Sequence, residues 1–249
     1  MAKVPAKVTA LLQQLTARLP MILGRNLVGI YVYGSVTNSA FAPEHSDIDV
    51  LMVTERDLTD SQFRKLGAWL TGMAKSNSWT TRLQLLCLVK SKLLVIDSNG
   101  CLYQFGKLTR SGSDGNAIIW LDFLRSGEVL FGPKPESFLP EMTSEILFEA
   151  LKRELGYLRE EISQKRKSEW RDVSMYRAYA VLTVCRILYS FSRGTIVSKP
   201  TAAKWAIRNL PEWTTLIRPA LALNQTGREA DIPLKRIEQF IVFADAELR

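Results

Sequence analysis

Histidine is nearly absent: His45 is the only one in 249 residues. His-rich zinc chemistry and most Ser-His or Cys-His relays therefore lack material. Three cysteines, Cys87, Cys101 and Cys185, form an odd count without metal-ligand spacing, so no disulfide framework is expected. Each belongs in a strand or helix core, and a reducing cytoplasm is the expected compartment. No stretch approaches the roughly 20 apolar residues that span a bilayer. The opening residues, Met1-Ala-Lys-Val-Pro-Ala-Lys7, do not read as the apolar core of a secretory signal. Repeats, low-complexity linkers and a basic tail are also missing. What the chain does have is 47% hydrophobic residues, which excludes a disordered polymer.

Basic residues outnumber acidic ones by 33 to 25, a formal +8, and this first suggests a polyanionic partner such as nucleic acid or a nucleotide. The excess is even, however: four charges over residues 1–140 and four over 141–249. The densest cluster, Lys165-Arg166-Lys167, reads as a solvated helix end. Nucleic acid is therefore not the expected partner, and neither is a membrane.

Apolar periodicity divides the chain near Pro140. Val8, Leu11, Leu12, Leu15 and Leu19 recur at helical spacing. Leu27–Tyr33, Ile48–Val53 and Leu83–Val89 are short β-branched or apolar runs and read as strands. Leu93–Ile96 is a candidate fourth strand before the turn chemistry of Asp97-Ser-Asn-Gly100. Phe63–Met73 and Ala117–Leu124 read as helices, and Val129–Phe131 as a short strand or helix exit. Beyond Pro140 the pattern is almost purely helical: Ser144 to about Ser168, Val173–Phe191, Pro200–Arg208, Glu212–Leu223 and Pro233–Leu248. The expected fold is α+β: a mixed β-sheet with helices over residues 1–140, then an all-α helical bundle over 141–249.

One constellation carries chemistry. Gly34-Ser35 follows the first strand directly, and Ser46-Asp47-Ile48-Asp49 opens the second. Glycine lets a phosphate approach the backbone, and the adjacent serine offers a hydroxyl and an N–H at a helix start. Residues i and i+2 of a strand face the same side, so Asp47 and Asp49 can jointly hold a divalent metal. Magnesium is commonly held by few carboxylates plus substrate phosphate oxygens and water, and it neutralises charge on a transferring phosphorus and its leaving pyrophosphate.

Gly34-Ser35 with Ser46-Asp47-Ile48-Asp49 resembles the nucleotidyltransferase superfamily, also called the DNA polymerase β-like fold. Leu130-Phe131-Gly132-Pro133 is similar to the segment that closes the N-terminal domain of streptomycin/spectinomycin adenylyltransferases. Leu182 to Tyr189 around Arg186, then Gly194, Ile196, Ser198-Lys199, Ala202-Ala203 and Trp205-Ala206, resembles their helical C-terminal domain. The resemblance implies that ATP and Mg²⁺ are used and that AMP passes to a hydroxyl of an aminocyclitol antibiotic. It also implies that Gly34 and Ser35 cradle the triphosphate, that Asp47 and Asp49 bind metal, and that Arg186 and Lys199 contact ATP phosphates from the second domain. Trp170 and Asp172 resemble a loop that contacts streptomycin, and Tyr179 is a candidate substrate contact with them. A monomer is expected.

The match departs at one decisive place. The family puts a glutamate general base on the following central strand, where this chain has Gln84 within Arg82-Leu83-Gln84-Leu85-Leu86. A neutral amide cannot take up the hydroxyl proton, and loss of a general base costs about 10²–10⁴ in rate. Three explanations stand: an inactivated variant, a homologue with a different base or substrate, or a protein that binds nucleotide without transferring it. Asp97 is a candidate substitute carboxylate. The Trp- and Pro-rich segment usual after the third strand is replaced by Tyr103-Gln-Phe105-Gly106, which bears on substrate choice. Aminoglycosides are polycations, so their site needs local acids, with Glu154, Glu160, Glu161, Glu169 and Asp172 as candidates. A nucleotidyltransferase acting on RNA or protein is the reading from another class.

Overall fold

The computed structural model describes residues 4–38, 41–43, 46–98, 100–110, 113–114, 116–163 and 173–249. The chain forms two compact units, residues 1–141 and 142–249.

The first unit is built on a six-stranded sheet. Its strands are β1 (Leu27–Tyr33), β2 (Ile48–Thr54), β3 (Leu83–Val89), β5 (Cys101–Gln104), β6 (Lys107–Thr109) and β8 (Glu128–Phe131), in the order β6-β5-β3-β2-β1-β8. The remaining pair, β4 (Ile96–Ser98) and β7 (Ser113–Asp114), makes a separate two-stranded ribbon. Among the described strands, only β2 and β3 run parallel; the other pairs are antiparallel. A parallel pair requires a crossover, supplied by helix α2 (Asp60–Ser76). That helix starts on a capping box, with Thr59 Oγ1 accepting from Gln62 N at 3.2 Å and Thr59 N donating to Gln62 Oε1 at 3.1 Å.

Strand alternation sorts the sheet into two faces. Ile30 and Val32, Ile48, Val50 and Met52, and Leu83, Leu85 and Cys87 share a core with helix α1 (Ala6–Leu23) and with α2. Helix α1 contributes Val8, Leu11, Leu15, Leu19 and Leu23, all buried on one stripe. The alternate residues face the other way. There Tyr31 meets Trp120 and Phe123 of helix α3 (Ala117–Ser126) edge to face, with centroids at 6.3 and 5.4 Å. Tyr31 donates its hydroxyl to the Pro133 carbonyl at 2.9 Å, and burial raises its pKa to about 12. Gly132 closes this corner with φ +89°, and a Cβ there would sit 2.2 Å from the Val28 carbonyl oxygen. The Gly132-Pro133 step therefore has a steric reason.

The second unit is helical: α4 (Ser144–Ser163), α5 (Ser174–Arg193), α6 (Lys199–Asn209), α7 (Thr214–Thr226) and α8 (Leu234–Glu247). Helix α5 is its centre. Ala178, Ala180 to Cys185, Ile187, Leu188 and Ser190 are buried around most of its circumference, and it contacts α4, α6, α7 and α8. The α+β class with a helical second part agrees with the expectation. Among the described residues, no helix is long and apolar enough to cross a membrane.

One local expectation needs correction. The run Leu93–Ile96 is not a strand: Leu93 and Leu94 turn, and the strand begins at Ile96, so Asp97 and Ser98 extend instead of turning. Helix α1 continues through Pro20 to Leu23. The hairpin β5–β6 was not anticipated at all.

Candidate active site

The end of β1 and the start of β2 meet at Gly34. It opens a short 3₁₀ turn, Gly34–Val36, and its carbonyl accepts from Thr37 N at 3.2 Å and Thr37 Oγ1 at 3.1 Å. Its φ is +74°, and a Cβ would lie 2.5 Å from Asp49 Oδ2. The space that any other side chain needs is thus occupied by a carboxylate. Ser35 Oγ reaches the Asp47 carbonyl oxygen at 3.5 Å, a long contact. The Gly34-Ser35 pair therefore adjoins both aspartates, one by side chain and one by backbone.

Register completes the cluster. Asp49 is paired with Tyr33 on β1 and with Gln84 on β3. Paired residues share a face, and this is the face opposite the α1/α2 core. Asp49 and Gln84 are half-buried at strand ends, while Asp47 lies just outside β2 and is exposed. Gln84 is thus the direct cross-strand neighbour of Asp49.

The segment before β2 is held by Arg82, Trp79 and Phe41, which lie outside the motif, and by Ser46, which opens it. Arg82 donates to the Ser46 carbonyl and, at 2.5 Å, to the Pro43 carbonyl. Its guanidinium lies 4.5 Å from the centroid of Trp79, and Phe41 packs against the same indole at 5.8 Å. Ser46 adds a reciprocal pair with Ala42: Ser46 N donates to Ala42 O at 2.8 Å, and Ala42 N donates to Ser46 Oγ at 2.9 Å. Arg82 stands two residues before Gln84, so one short stretch both fixes the aspartate loop and carries the position opposite Asp49.

In the second unit, Arg186 lies two turns after Tyr179 on α5, and Lys199 is the first residue of α6. Ser198 caps α6 by accepting from Thr201 N at 3.4 Å. Lys199 Nζ sits 3.5 Å from the centroid of the Tyr179 ring. Burial pushes the Tyr179 phenol pKa up, the Glu154 carboxylate adds to the rise, and the Arg186 guanidinium opposes it. Glu154, Tyr179, Arg186 and Lys199 are therefore one cluster. Trp170, Asp172 and Glu169 lie outside the described residues, as does Lys165-Arg166-Lys167.

Asp47 and Asp49 fit a magnesium ion chemically. They offer two hard carboxylates two residues apart, and one of them lies against the Gly34 backbone, where any side chain would displace it. Among the described residues, no group of three or more His, Cys, Asp or Glu side chains is gathered for a metal. Magnesium is commonly completed by substrate oxygens and water.

This strand, Gly-Ser turn and Asp-x-Asp arrangement defines a nucleotidyltransferase scaffold, and comparison with known proteins agrees. A nucleotidyltransferase domain model matches residues 17–77, and an aminoglycoside adenylyltransferase C-terminal domain model matches residues 137–247. The chain thus combines a nucleotidyltransferase domain with a C-terminal domain like that of aminoglycoside adenylyltransferases. It is 26% identical to a spectinomycin 9-adenylyltransferase of Campylobacter jejuni over 77% of this chain and 75% of the relative. It is 28% identical to one of Staphylococcus aureus, over 79% and 77%. An aminoglycoside (3'') (9) adenylyltransferase of Klebsiella pneumoniae is 26% identical over 98% of this chain and 95% of its own length. Among solved structures, a spectinomycin adenyltransferase from Enterococcus faecialis, determined with ATP and spectinomycin, has the same fold. Its TM-score is 0.71 at 17% identity, covering 97% of this chain and 98% of that one.

Proposed function

We propose that the protein binds Mg-ATP and transfers AMP to a hydroxyl of an aminocyclitol antibiotic of the streptomycin or spectinomycin kind, in a reducing cytoplasm and as a monomer. The observation that carries this reading is the Asp49 carboxylate, held against Gly34 and in register with residue 84 beside the Ser35 turn. Gly34 and Ser35 receive the triphosphate, Asp47 and Asp49 hold the metal, and Arg186 and Lys199 of the helical unit supply cations to the phosphates. A bound magnesium ion would neutralise phosphate charge. Residues 1–140 act as the nucleotidyltransferase domain and residues 141–249 as the helical domain, in this reading.

The transfer is an in-line displacement. The acceptor oxygen forms a bond to the α-phosphorus, the bond to the β-phosphate bridging oxygen breaks, and pyrophosphate departs with that electron pair. The chain's contribution is positioning and charge complementarity. The acceptor's proton passes to solvent water as the bond forms, because the Gln84 amide cannot accept it. Trp170 and Asp172 are the proposed acceptor contacts, and acids such as Glu154 suit a polycation.

Gln84 also favours a second reading, in which nucleotide binds and no transfer follows. The substitution Gln84→Glu separates the two. On the transferase reading it raises AMP transfer to streptomycin or spectinomycin, measured as pyrophosphate release, by about 10²–10⁴-fold. No gain with either drug, while Mg-ATP still binds, favours the non-catalytic reading. Absence of Mg-ATP binding by calorimetry and no rise in Tm would end both.

A further inference from the structure

We infer that Tyr179 is a positioning residue for nucleotide binding, its ring face holding the Lys199 ammonium ready for an anionic phosphate. This rests on the reading that Lys199 serves the triphosphate, and it gives Tyr179 a different task from the acceptor contact expected from the sequence.

Lysine is a compact charge on a flexible four-carbon stem, and ordering it costs much rotamer freedom. Binding is tighter when that cost is met before the ligand arrives. Lys199 Nζ already stands 3.5 Å from the Tyr179 ring centroid, well inside the range over which a ring quadrupole attracts an ammonium. Both ends are fixed. Tyr179 is half-buried on α5 between the buried Ala178 and Ala180, and Lys199 is the first residue of a helix capped by Ser198 and stiffened by Pro200.

An aromatic partner differs from a carboxylate in the charge it leaves for the ligand. A ring orients an ammonium without forming an ion pair with it, so the ring contact itself takes up none of the charge that a phosphate would meet. Burial raises the phenol pKa, which keeps the ring neutral at ordinary pH and prevents a phenolate from capturing the lysine. Arg186 acts on the same ring from the same helix, so the two cations expected to meet the triphosphate share one aromatic neighbour. The amino end of α6 adds partial positive charge beside Lys199.

The test is Mg-ATP binding by calorimetry with the full chain and four variants: Tyr179→Leu, Tyr179→Phe, Lys199→Gln and the double Tyr179→Leu/Lys199→Gln. Far-UV circular dichroism checks folding, with Tyr179→Met as the substitute if Tyr179→Leu unfolds. Tyr179→Leu is expected to weaken binding about tenfold, the scale of a partly desolvated cation–π contact. Tyr179→Phe, which keeps the ring, recovers affinity to within about twofold. The double variant binds no more weakly than Lys199→Gln alone, because the tyrosine acts only through the lysine. If Lys199→Gln weakens binding but Tyr179→Leu does not, or the two losses add, or Tyr179→Phe loses as much as Tyr179→Leu, the inference is overturned while the role of Lys199 stands. If Lys199→Gln binds Mg-ATP like the parent, the role of Lys199 falls and takes the inference with it.

Discussion

Gly34 carries two constraints at once: a left-handed backbone and a carboxylate where its Cβ would be. Gly34→Ala should therefore do more than strain the turn. The backbone penalty is about 1–2 kcal/mol, and Asp49 must swing away to clear the new methyl. Expected outcomes are a fall in denaturant stability of that order and at least about tenfold weaker Mg-ATP binding by calorimetry. A variant that lost stability yet bound as before would show that the position of Asp49 does not matter. Arg82 acts at longer range, through carbonyl oxygens of Pro43 and Ser46 and the face of Trp79. Arg82→Met keeps the stem but not the donors, so it should weaken Mg-ATP binding several-fold while Gln84 stays in its strand. The glycine and the aspartates were legible because their chemistry is written in neighbouring residues after a strand. Arg82 was not, because its partners lie 36 and 39 residues away and are backbone atoms that any residue could supply.

Elements show the same division. Strands β1 to β3 announce themselves as short apolar runs because both faces are buried. The β5–β6 hairpin does not. Its central residues, Phe105 and Gly106, both take positive φ, 51° and 77°, as in a two-residue hairpin turn. Asparagine or aspartate is the usual first residue there, and an exposed phenylalanine hides the signal. Missing that hairpin also hid the pairing of Cys87 with Cys101 across β3 and β5. The paired thiols act on each other: Cys101 lowers the pKa of Cys87, and Cys87 together with burial raises that of Cys101. Cys185 is buried in α5 and burial raises its pKa as well. Despite the lowered Cys87 value, burial should dominate reactivity. Native protein should show no fast-reacting thiol with Ellman's reagent at pH 8, and all three should react in guanidinium. A fast native thiol would contradict the packing of that sheet or of α5. The Tyr179–Lys199 contact escaped sequence reading for a related reason, since it depends on how α5 and α6 pack and on no pattern within either helix.

At the scale of the whole molecule, the charge excess separates the remaining readings. A protein that acts on RNA gains affinity by releasing counterions along many phosphates, so its binding falls steeply with salt. The +8 here is divided evenly and has no basic arm. The cations assigned to a triphosphate are two, Arg186 and Lys199, set around one tyrosine. On the same scaling, two such contacts correspond to about a tenfold loss of affinity between 50 and 200 mM salt, against about 10³–10⁵ for six to ten contacts. Mg-ATP binding should therefore survive at 200 mM with that modest decline, and a structured RNA should not bind stoichiometrically at the same salt. A steep salt slope for RNA with Kd in the nanomolar range would instead give the even charge a purpose, and would move the acceptor from a small polycation to a polyanion. The two acceptors need opposite surroundings. A polycationic drug is drawn by acids such as Glu154 and gains from Gln84→Glu, whereas an RNA is repelled by each carboxylate added beside Asp49. Measuring how Gln84→Glu changes binding of each acceptor, in sign as well as size, decides between them with one substitution.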